Sequence, residues 1–230
     1  MHHRILIDAI QSTVTVSGDE FHHSIRVVRL REGEEVEVFD RAGKMAKAVV
    51  ATIAKDHAVL NVGDEIASRE SPLQLTLAMS IIQLEKFELV LQKATELGVH
   101  AIVPLITDRI ELRAERYAGK ADRWQRIVFE AVKQSGRGLV PAIESPQKFD
   151  DVITREGTKI VFDADLSPSP AQPHNRATAF IGPEGGFSPR ELDLAEQQQA
   201  IFQRLGPRRL RAETAAIVAL TIVAARFGDL

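Results

Sequence analysis

The feature that most limits the fold of this 230-residue chain is an alternation of apolar strands and amphipathic helices that begins at Leu73. Five short apolar segments recur between helical stretches: LQLTLAMS, AIVPLI, KIVFDAD, TAFIG and AIFQRLG. Alternating strands and helices predict an α/β domain with a mostly parallel sheet. Ligands of such sheets bind at the carboxyl ends of the strands, so we expect functional residues in the loops that follow them.

Two of the intervening segments have a clear helical period. In the first, Gly98 provides a C-terminal stop just after the last apolar position. The apolar face of the first segment comprises Phe87, Val90, Leu91, Ala94 and Leu97, and that of the second comprises Trp124, Ile127, Val128, Ala131 and Val132. A proline-rich connection, LSPSPAQPHNR, separates two of the later strands.

The first seventy residues have a different pattern, which predicts a small β-barrel or sandwich. The strands VEVFD and MAKAVVATI flank the polar turn RAGK and predict a hairpin, and HAVLNVGDEI predicts a further strand. No long stretch with a helical period occurs among them. The segment RESP, which ends at Pro72, has the composition of a linker. We therefore predict two domains, residues 1–70 and 73–230.

Composition excludes several classes of function. The chain has no cysteine, which excludes disulfides, thiolate metal sites and cysteine nucleophiles. No apolar run reaches the ~20 residues that span a membrane, and the N-terminus lacks a signal-peptide pattern, so we expect a cytoplasmic protein. His22 and His23 are adjacent, but no further ligand has suitable spacing, so no metal site is predicted. Four arginines crowd between positions 204 and 211, either as a phosphate-binding cluster or as an ordinary solvated surface.

The glycine-rich segment GPEGGFSPRE, residues 182–191, follows one of the predicted strands. Its glycines allow positive φ and close approach of a ligand to the main chain. Ser188, Pro189 and Glu191 have the spacing of a helix start with a capping box. The spacing is neither that of a P-loop nor that of a dinucleotide motif, and Glu184 would repel a pyrophosphate. The segment therefore suits a neutral or cationic ligand, or it is simply a turn.

A second loop, LGPRRLR, starts at Leu205 and leads into the last predicted helix. From Ala215 to Ala225 this helix is apolar except for Thr221, so it lacks the wet face of a surface helix. The pattern indicates either the core of the chain or an interface between subunits.

Together these segments resemble a known family. GPEGGFS followed by LGPRRLRAETA, with RESPLQL, QKATELGV and KQSGRGLVP upstream, is similar to the bacterial ribosomal RNA uracil-N3 methyltransferases of small-subunit (16S) RNA, which belong to the SPOUT class. The similarity extends from HHSIRVVRLREG to RFGDL. It implies an N-terminal PUA-like barrel that binds RNA and a C-terminal SPOUT domain with a trefoil knot. It also implies a homodimer in which two subunits build each active site.

The resemblance also implies S-adenosylmethionine as the cofactor, bound through main-chain groups of the two loops. Such a ligand carries a sulfonium and no phosphate, which is consistent with Glu184 in the first loop. The residues assigned to the cofactor pocket on this basis are Ile181, Gly182, Gly185, Gly186, Leu205, Gly206, Leu210, Glu213 and Thr214.

The implied reaction is an in-line displacement at a uracil N3, which must lose a proton while its oxygens gain negative charge. Arg211, at the start of the last helix, is the candidate for stabilising that charge or orienting the base. Its alternative roles are a phosphate contact and a salt bridge to Glu213. The general base is left open between Glu184, Glu213 and solvent.

The partner implied by the resemblance is 16S ribosomal RNA within the assembled small subunit, with neither a membrane nor a metal involved. Two positions depart from the usual family pattern, Lys133 and Arg209, and they affect the expected local RNA contacts. Low aromatic content, 5%, makes extensive base stacking a poor explanation of recognition. The residues expected to contact RNA are Arg4, His23, Arg26, Arg29, Lys86, Gln134 and Arg137.

Two other functions are compatible with these motifs. One is a non-catalytic RNA-binding or ribosome-assembly factor that keeps the fold, which loss of either glycine loop would favour. The other is a SPOUT methyltransferase with a shifted RNA target, such as transfer RNA. A nucleotide-binding enzyme is disfavoured because the lysine and the glycine spacing of phosphate loops are missing.

Overall fold

The computed structural model describes residues 3–40, 42–110, 119–163 and 175–230, and its contacts divide the chain into two compact units. The first unit consists of Met1–Glu70 and Val132–Val140, and the second of Ser71–Ala131 and Pro141–Leu230. The sequence did not predict that residues 132–140 belong to the first unit. Most of the proline-rich connection, residues 164–174, lies outside the described residues.

The first unit contains a five-stranded sheet with the order β1-β3-β4-β5-β2. Strands β1 and β3 are parallel, and the other neighbouring pairs are antiparallel. The predicted hairpin is confirmed as the pair β3–β4. The strands are β1 (His3–Leu6), β2 (Thr13–Ser17), β3 (Glu35–Phe39), β4 (Met45–Ile53) and β5 (His57–Ile66).

The core of this unit follows from the two-residue period of its strands. Val36 and Val38 of β3 are buried, as are Ala46 and Ala48 of β4, while Lys47 between them is exposed. Alternation of this kind buries one face of a sheet and leaves the other in water. The core is completed by residues of the neighbouring strands and of a short helical segment, including Ile5, Val16, Phe21 and Leu60.

That helical segment is one element that the sequence pattern did not reveal. Helix α1 (Gly18–Phe21) continues into a π-helical turn at His22–Val27. It was missed because so short a segment buries only Phe21 and Ser24, too few positions to form an apolar period. Arg29, just after it, has a φ of 66°, a conformation in which most residues other than glycine are strained.

The second unit contains a seven-stranded sheet in which every neighbouring pair is parallel, as predicted. The strand order is β12-β10-β11-β6-β7-β8, and the short β9 also pairs with β7. The strands are β6 (Gln74–Ser80), β7 (Ala101–Ile106), β8 (Ala142–Ile143), β9 (Gln147–Lys148), β10 (Thr158–Phe162), β11 (Arg176–Ile181) and β12 (Ile201–Gln203).

Helices between these strands pack the sheet. One core cluster joins Phe149, Val161, Phe180 and Phe187, and the Phe149 ring lies 5.7 Å from that of Phe180. The last helix packs against α2 and against strands β6 and β11. The helices are α2 (Leu84–Glu96), α3 (Ala121–Ser135), α4 (Phe149–Ile153), α5 (Pro189–Gln197) and α6 (Ala212–Phe227).

Helix α6 is buried on one side only. Ala216, Leu220 and Val223 are buried, whereas Thr221 and Ala225 are exposed. The exposed side contains apolar side chains that are only half-buried, namely Ile217, Val218 and Ile222. The sequence left two alternatives for this helix, core packing and a subunit interface. Core packing explains its buried side but not the apolar residues on its exposed side.

Candidate functional site

A cavity of about 320 Å³ lies at the carboxyl ends of three neighbouring strands of the second unit. It is lined by Phe162 and Asp163 at the end of β10, by residues 181–187 at the end of β11, and by several residues between Leu205 and Ala215 after β12. Its size is in the range of small-molecule sites. The position is the one expected for an open parallel sheet, because loops that leave neighbouring strands at the same edge converge there.

The first loop is held in a tight curl. The amide of Gly186 donates to the carbonyl of Pro183 at 2.9 Å, and Gly186 has a φ of 68°. A Cβ on Gly182 would lie 3.3 Å from main-chain atoms of Gly186 and Phe187, closer than most side chains tolerate. The side chain of Phe187 then returns to the core, 5.1 Å from the Phe149 ring. These glycines therefore let the loop fold back on itself and expose main-chain groups to the cavity.

Helix α5 begins with the predicted capping box. Ser188 accepts a hydrogen bond from the Glu191 amide at 3.2 Å, and the Glu191 carboxylate accepts one from the Ser188 amide at 2.8 Å. Pro189 is the first helical residue and has no N–H to donate. The helix start is thus occupied by its own side chains, and little of it is left to bind a phosphate.

The second loop reaches the cavity at Leu205. Gly206 has a φ of 103°, and its carbonyl accepts a hydrogen bond from Arg204 Nε at 3.0 Å. Leu210 and Ala212 line the cavity on either side of Arg211, which is the N-cap residue of α6 and is exposed. The loop therefore presents mainly main-chain and apolar groups, together with the cations of Arg208 and Arg209.

The structure brings most of the expected cofactor residues together around this cavity. Arg211, Glu213 and Thr214 are not among the lining residues. Thr214 is exposed, and Glu213 is half-buried with one carboxylate oxygen, Oε2, that has no hydrogen-bond partner among the described residues. The expected residues that line the cavity are Ile181, Gly182, Gly185, Gly186, Leu205, Gly206 and Leu210.

Other lining residues were missed by sequence reasoning. Asp163 lies within the predicted strand KIVFDAD and directly follows the shorter strand β10 of the structure, so the prediction places it inside the strand and not in the loop at the carboxyl end. Arg109 follows strand β7 by three residues, and its Nη1 donates to the Gly185 carbonyl at 2.7 Å. The sequence contains no signal for this contact, because the two residues are far apart along the chain.

Charges of both signs surround the cavity. Arg109, Arg208 and Arg209 line it together with Asp163 and Glu184. Lys86 lies 3.8 Å from Glu184 and offsets part of its negative charge at an exposed position. This mixture suits a ligand with both a cationic and an anionic group better than a polyphosphate.

An ion network lies beside the first loop. Arg190 joins Asp108, at 2.8 Å, to Asp150, also at 2.8 Å. Hydrogen bonds from Arg190 and then from Ser188 hold the pKa of the Asp108 carboxyl below its usual value. The same two carboxylates raise the pKa of the Arg190 guanidinium. The carboxylate therefore stays ionised and keeps its partners over the ordinary pH range.

Two of the arginines expected to bind RNA are engaged inside the first unit. Arg137 is 3% exposed and its Nη2 lies 2.6 Å from Glu70 Oε2. Arg4 donates to Glu37 and to the Val132 carbonyl, and its guanidinium lies over the Phe39 ring. A buried and paired guanidinium is not presented to a backbone phosphate, so these contacts do not support the RNA binding expected of Arg4 and Arg137, which stays a prediction.

Four of the other expected RNA residues are exposed, whereas Lys86 is half-buried. His23, Arg26 and Arg29 are exposed around the short helical segment of the first unit, and Gln134 is also exposed. Lys133, one of the two departures from the family pattern, lies 2.8 Å from Glu20, so its charge has an anionic partner within the same unit.

In the described part of the chain, no group of His, Asp and Glu residues is placed to hold a metal ion. Within the same residues, no helix is long and apolar enough to cross a bilayer.

Two family models match the chain. The model of the RNA methyltransferase domain matches residues 69–224, and the model of the RNA methyltransferase PUA domain matches residues 16–63. The ribosomal RNA small subunit methyltransferase E of Bacillus subtilis (strain 168) is 30% identical over 92% of this chain and 89% of its own length. This chain belongs to the ribosomal RNA small subunit methyltransferase E family.

Solved structures of similar proteins agree with the family assignment. A methyltransferase E of Neisseria gonorrhoeae, bound to S-adenosylmethionine, is 30% identical and superimposes with a TM-score of 0.91. A Legionella pneumophila methyltransferase in complex with the same cofactor is 33% identical, with a TM-score of 0.87. Each similarity covers 100% of both chains. The α/β fold with its parallel sheet and the small N-terminal β-unit is thus the fold of the methyltransferase E family.

Proposed function

We propose that this protein transfers the methyl group of S-adenosylmethionine to N3 of a specific uridine in 16S ribosomal RNA. The observation that carries this proposal is the convergence of two glycine loops on one cavity at the carboxyl ends of β10, β11 and β12. The names of the family's members supply the small-subunit RNA substrate, and two similar structures were solved with S-adenosylmethionine. The choice of N3 rests on the resemblance of the loop motifs.

The cavity fits this cofactor in three respects. Its volume of about 320 Å³ falls within the range of small-molecule sites, two glycine-containing loops supply much of its lining, and charges of both signs surround it. We assign the contacts to the main chain of residues 181–186 and to Leu205, Gly206 and Leu210, with Glu213 and Thr214 outside the direct contacts. When bound, S-adenosylmethionine supplies an electrophilic methyl group on a sulfonium.

The role of the protein's own residues in the reaction is to orient the base and to accept the proton that N3 loses. Arg211 is exposed at the start of α6, and among the described residues none accepts a hydrogen bond from its side chain, so its cation is available to a uracil oxygen. Three carboxylates can receive the N3 proton: Asp163 and Glu184 line the cavity, and Glu213 carries an unpartnered buried oxygen. Solvent is the remaining acceptor.

Recognition of the RNA is proposed to use the exposed basic residues of the first unit. His23, Arg26 and Arg29 would contact backbone phosphates, and Gln134 would add a hydrogen bond. Such contacts orient an RNA without reading its sequence, so target choice would depend on the shape of folded ribosomal RNA. Lys86 would give only a weak contact because it is already paired with Glu184.

We further propose a homodimer formed through the exposed side of α6. Apolar residues that remain half-buried there, Ile217, Val218 and Ile222, support a helix that is covered by a second subunit. The trefoil knot and the sharing of each active site between subunits rest on the resemblance alone. An assembled small subunit as substrate, and therefore a cytoplasmic location, belong to the same proposal.

The test is methyl transfer to RNA from a strain that lacks the gene for this protein. Purified protein and labelled S-adenosylmethionine are incubated with free 16S RNA or with small subunits, and modified uridines are mapped by mass spectrometry. A single N3-methylated uridine, formed faster on one of the two substrates, is the expected result. Cofactor binding without transfer to either substrate would favour a non-catalytic assembly factor, and methylation of transfer RNA only would establish a shifted target.

A further inference from the structure

The turn that follows strand β7, residues 107–110, is fixed rigidly to the sheet of the second unit. Thr107 is buried, and its hydroxyl lies 2.9 Å from that of Ser80 at the end of β6. The amide of Ile110 donates to the Thr107 carbonyl at 3.2 Å and closes the turn. This turn therefore stands on two neighbouring strands and is a firm support for whatever it contacts.

Asp108 of this turn holds the start of α5, at the far end of the first glycine loop. Its amide donates to Glu191 Oε1 at 2.9 Å, and its carboxylate accepts from Ser188 Oγ at 2.6 Å. Arg190 adds two further hydrogen bonds to the same carboxylate, from Nε at 2.9 Å and from Nη2 at 2.8 Å. The end of the loop is thus tied to the turn by main-chain and side-chain contacts.

Arg109 reaches the middle of the same loop. Its Nη1 donates to the Gly185 carbonyl at 2.7 Å, and its Cβ and Cδ lie 3.7 and 3.6 Å from where a Cβ on Gly185 would be. The side chain thus packs along the glycine and bonds its carbonyl, while it also lines the cavity. Because the residue is exposed, we do not expect the contact to decide whether the chain folds.

A loop of this composition needs such a support. Gly182, Gly185 and Gly186 have no side chains with which to hold their own conformation, and glycine loses more backbone entropy on ordering than any other residue. A ligand that binds through main-chain groups binds tightly only if those groups are held in place beforehand. We propose that Arg109 is a positioning residue that fixes the cofactor loop of residues 182–187 from the 107–110 turn.

This inference rests on the proposed function, and the experiment separates the two. The variants are Arg109→Met, which keeps the hydrocarbon part and loses the donors, and Arg109→Lys, which keeps a cationic donor. Arg176→Met is the matched control, since Arg176 is an exposed arginine that bonds Gln74 at the other end of the sheet. Calorimetry gives the Kd for S-adenosylmethionine, and steady-state kinetics give separate KM values for cofactor and RNA.

We expect Arg109→Met to raise the Kd and KM for S-adenosylmethionine at least tenfold, about 1.4 kcal/mol. We expect Arg109→Lys to recover most of this loss, the KM for RNA to stay unchanged, and the thermal midpoint of the unliganded protein to match that of Arg176→Met. An unchanged cofactor Kd in Arg109→Met, or a rise confined to the KM for RNA, would overturn the inference alone. A wild-type protein that does not bind S-adenosylmethionine would overturn the proposed function and the inference with it.

Discussion

At the scale of single residues, the glycines shape the cavity because they carry no side chain. Gly182 is needed where the loop folds back on Gly186 and Phe187, and Gly206 is needed for its φ of 103°. Gly185 is different, because its φ is not positive and a Cβ would make only ordinary contacts with Arg109. A substitution at Gly185 therefore tests the cavity without straining the backbone.

We predict that Gly185→Val abolishes calorimetric binding of S-adenosylmethionine while the thermal midpoint of the unliganded protein changes little. The branched side chain would occupy space beside Arg109 at the cavity wall. Gly63→Val is the matched control, because Gly63 also lacks a positive φ and lies in β5 of the other unit. Normal cofactor affinity in Gly185→Val would remove the glycine loop from the binding site.

Arg211 tests the chemistry rather than the binding. Because it lies beside the cavity lining but not in it, we predict that Arg211→Ala keeps the cofactor Kd and slows methylation by more than tenfold, ~1.4 kcal/mol of barrier. Arg226→Ala, at the other end of α6, serves as the control and should be active. Single-turnover rates on RNA provide the measurement, and a wild-type rate in Arg211→Ala would exclude this arginine from the mechanism.

At the scale of elements, the Glu70–Arg137 ion pair is one of the contacts that attach residues 132–140 to the rest of the first unit. Glu70 bonds the Arg137 guanidinium and also accepts hydrogen bonds from the amides of Gly138 and Leu139, both at 3.0 Å. Burial acts to raise the pKa of the Glu70 carboxyl, but these hydrogen bonds outweigh burial and hold the pKa below its ordinary value of 4.5. The pair therefore stabilises the folded state when the carboxyl is ionised.

We predict that Glu70→Gln lowers the free energy of unfolding by about 3 kcal/mol at pH 7, because Arg137 is left buried without its anion. A carboxyl with a lowered folded pKa stabilises the protein fully above its ordinary pKa, and this contribution is lost as the pH falls through the folded pKa. Urea unfolding at a series of pH values should show a constant difference from wild type at neutral pH that shrinks below pH 4.5.

The exposed Glu65→Gln, in the same unit, should show no such difference and is the control. If Glu70→Gln instead unfolded like wild type but bound RNA poorly, Arg137 would have to be returned to the RNA surface. A second ion pair, Lys133–Glu20, lies in the same unit. It neutralises the charge of Lys133, a residue that departs from the family pattern.

At the scale of the whole molecule, one side of α6 belongs to the core, and the other side is not fully covered by the described residues. Its buried side packs on α2, β6 and β11, and its other side leaves apolar groups half in water. The second loop of the cavity runs directly into this helix, so a subunit covering α6 would lie close to the site. Assembly and catalysis are thereby expected to depend on each other.

We predict that Thr221→Lys, at the centre of the exposed side of α6, converts the proposed dimer to a monomer. The lysine would place a charge in a contact that excludes water, which is costly without a partner. Light scattering after size exclusion measures the mass, and Gln197→Lys on the exposed surface of α5 is the control. A wild-type protein of monomeric mass, or a Thr221→Lys dimer, would contradict the interface.

Local sequence patterns predict most of the longer strands and helices, and the loop motifs indicate the family. The strand and helix periods, the capping box of Ser188 and Glu191 and the β3–β4 hairpin follow from local propensity and spacing, because each involves residues close together along the chain. The parallel sheet pairs strands that are distant along the chain, and its prediction comes from the alternation of strands and helices. The two loop motifs, taken as a resemblance, also indicated the edge of the sheet at which a ligand would bind.

The partners of the charged residues follow from packing and cannot be read from the sequence. Arg4 and Arg137 resemble surface cations in the sequence, yet their partners Val132 and Glu70 are distant along the chain, and burial turns them into structural residues. Arg109 and Asp163 line the cavity although the sequence did not predict it, because the order of the strands in the sheet determines which loops lie next to each other. Local pattern fixes where a chain is helical or extended, whereas the partners of a charge depend on contacts that form only after the elements have packed.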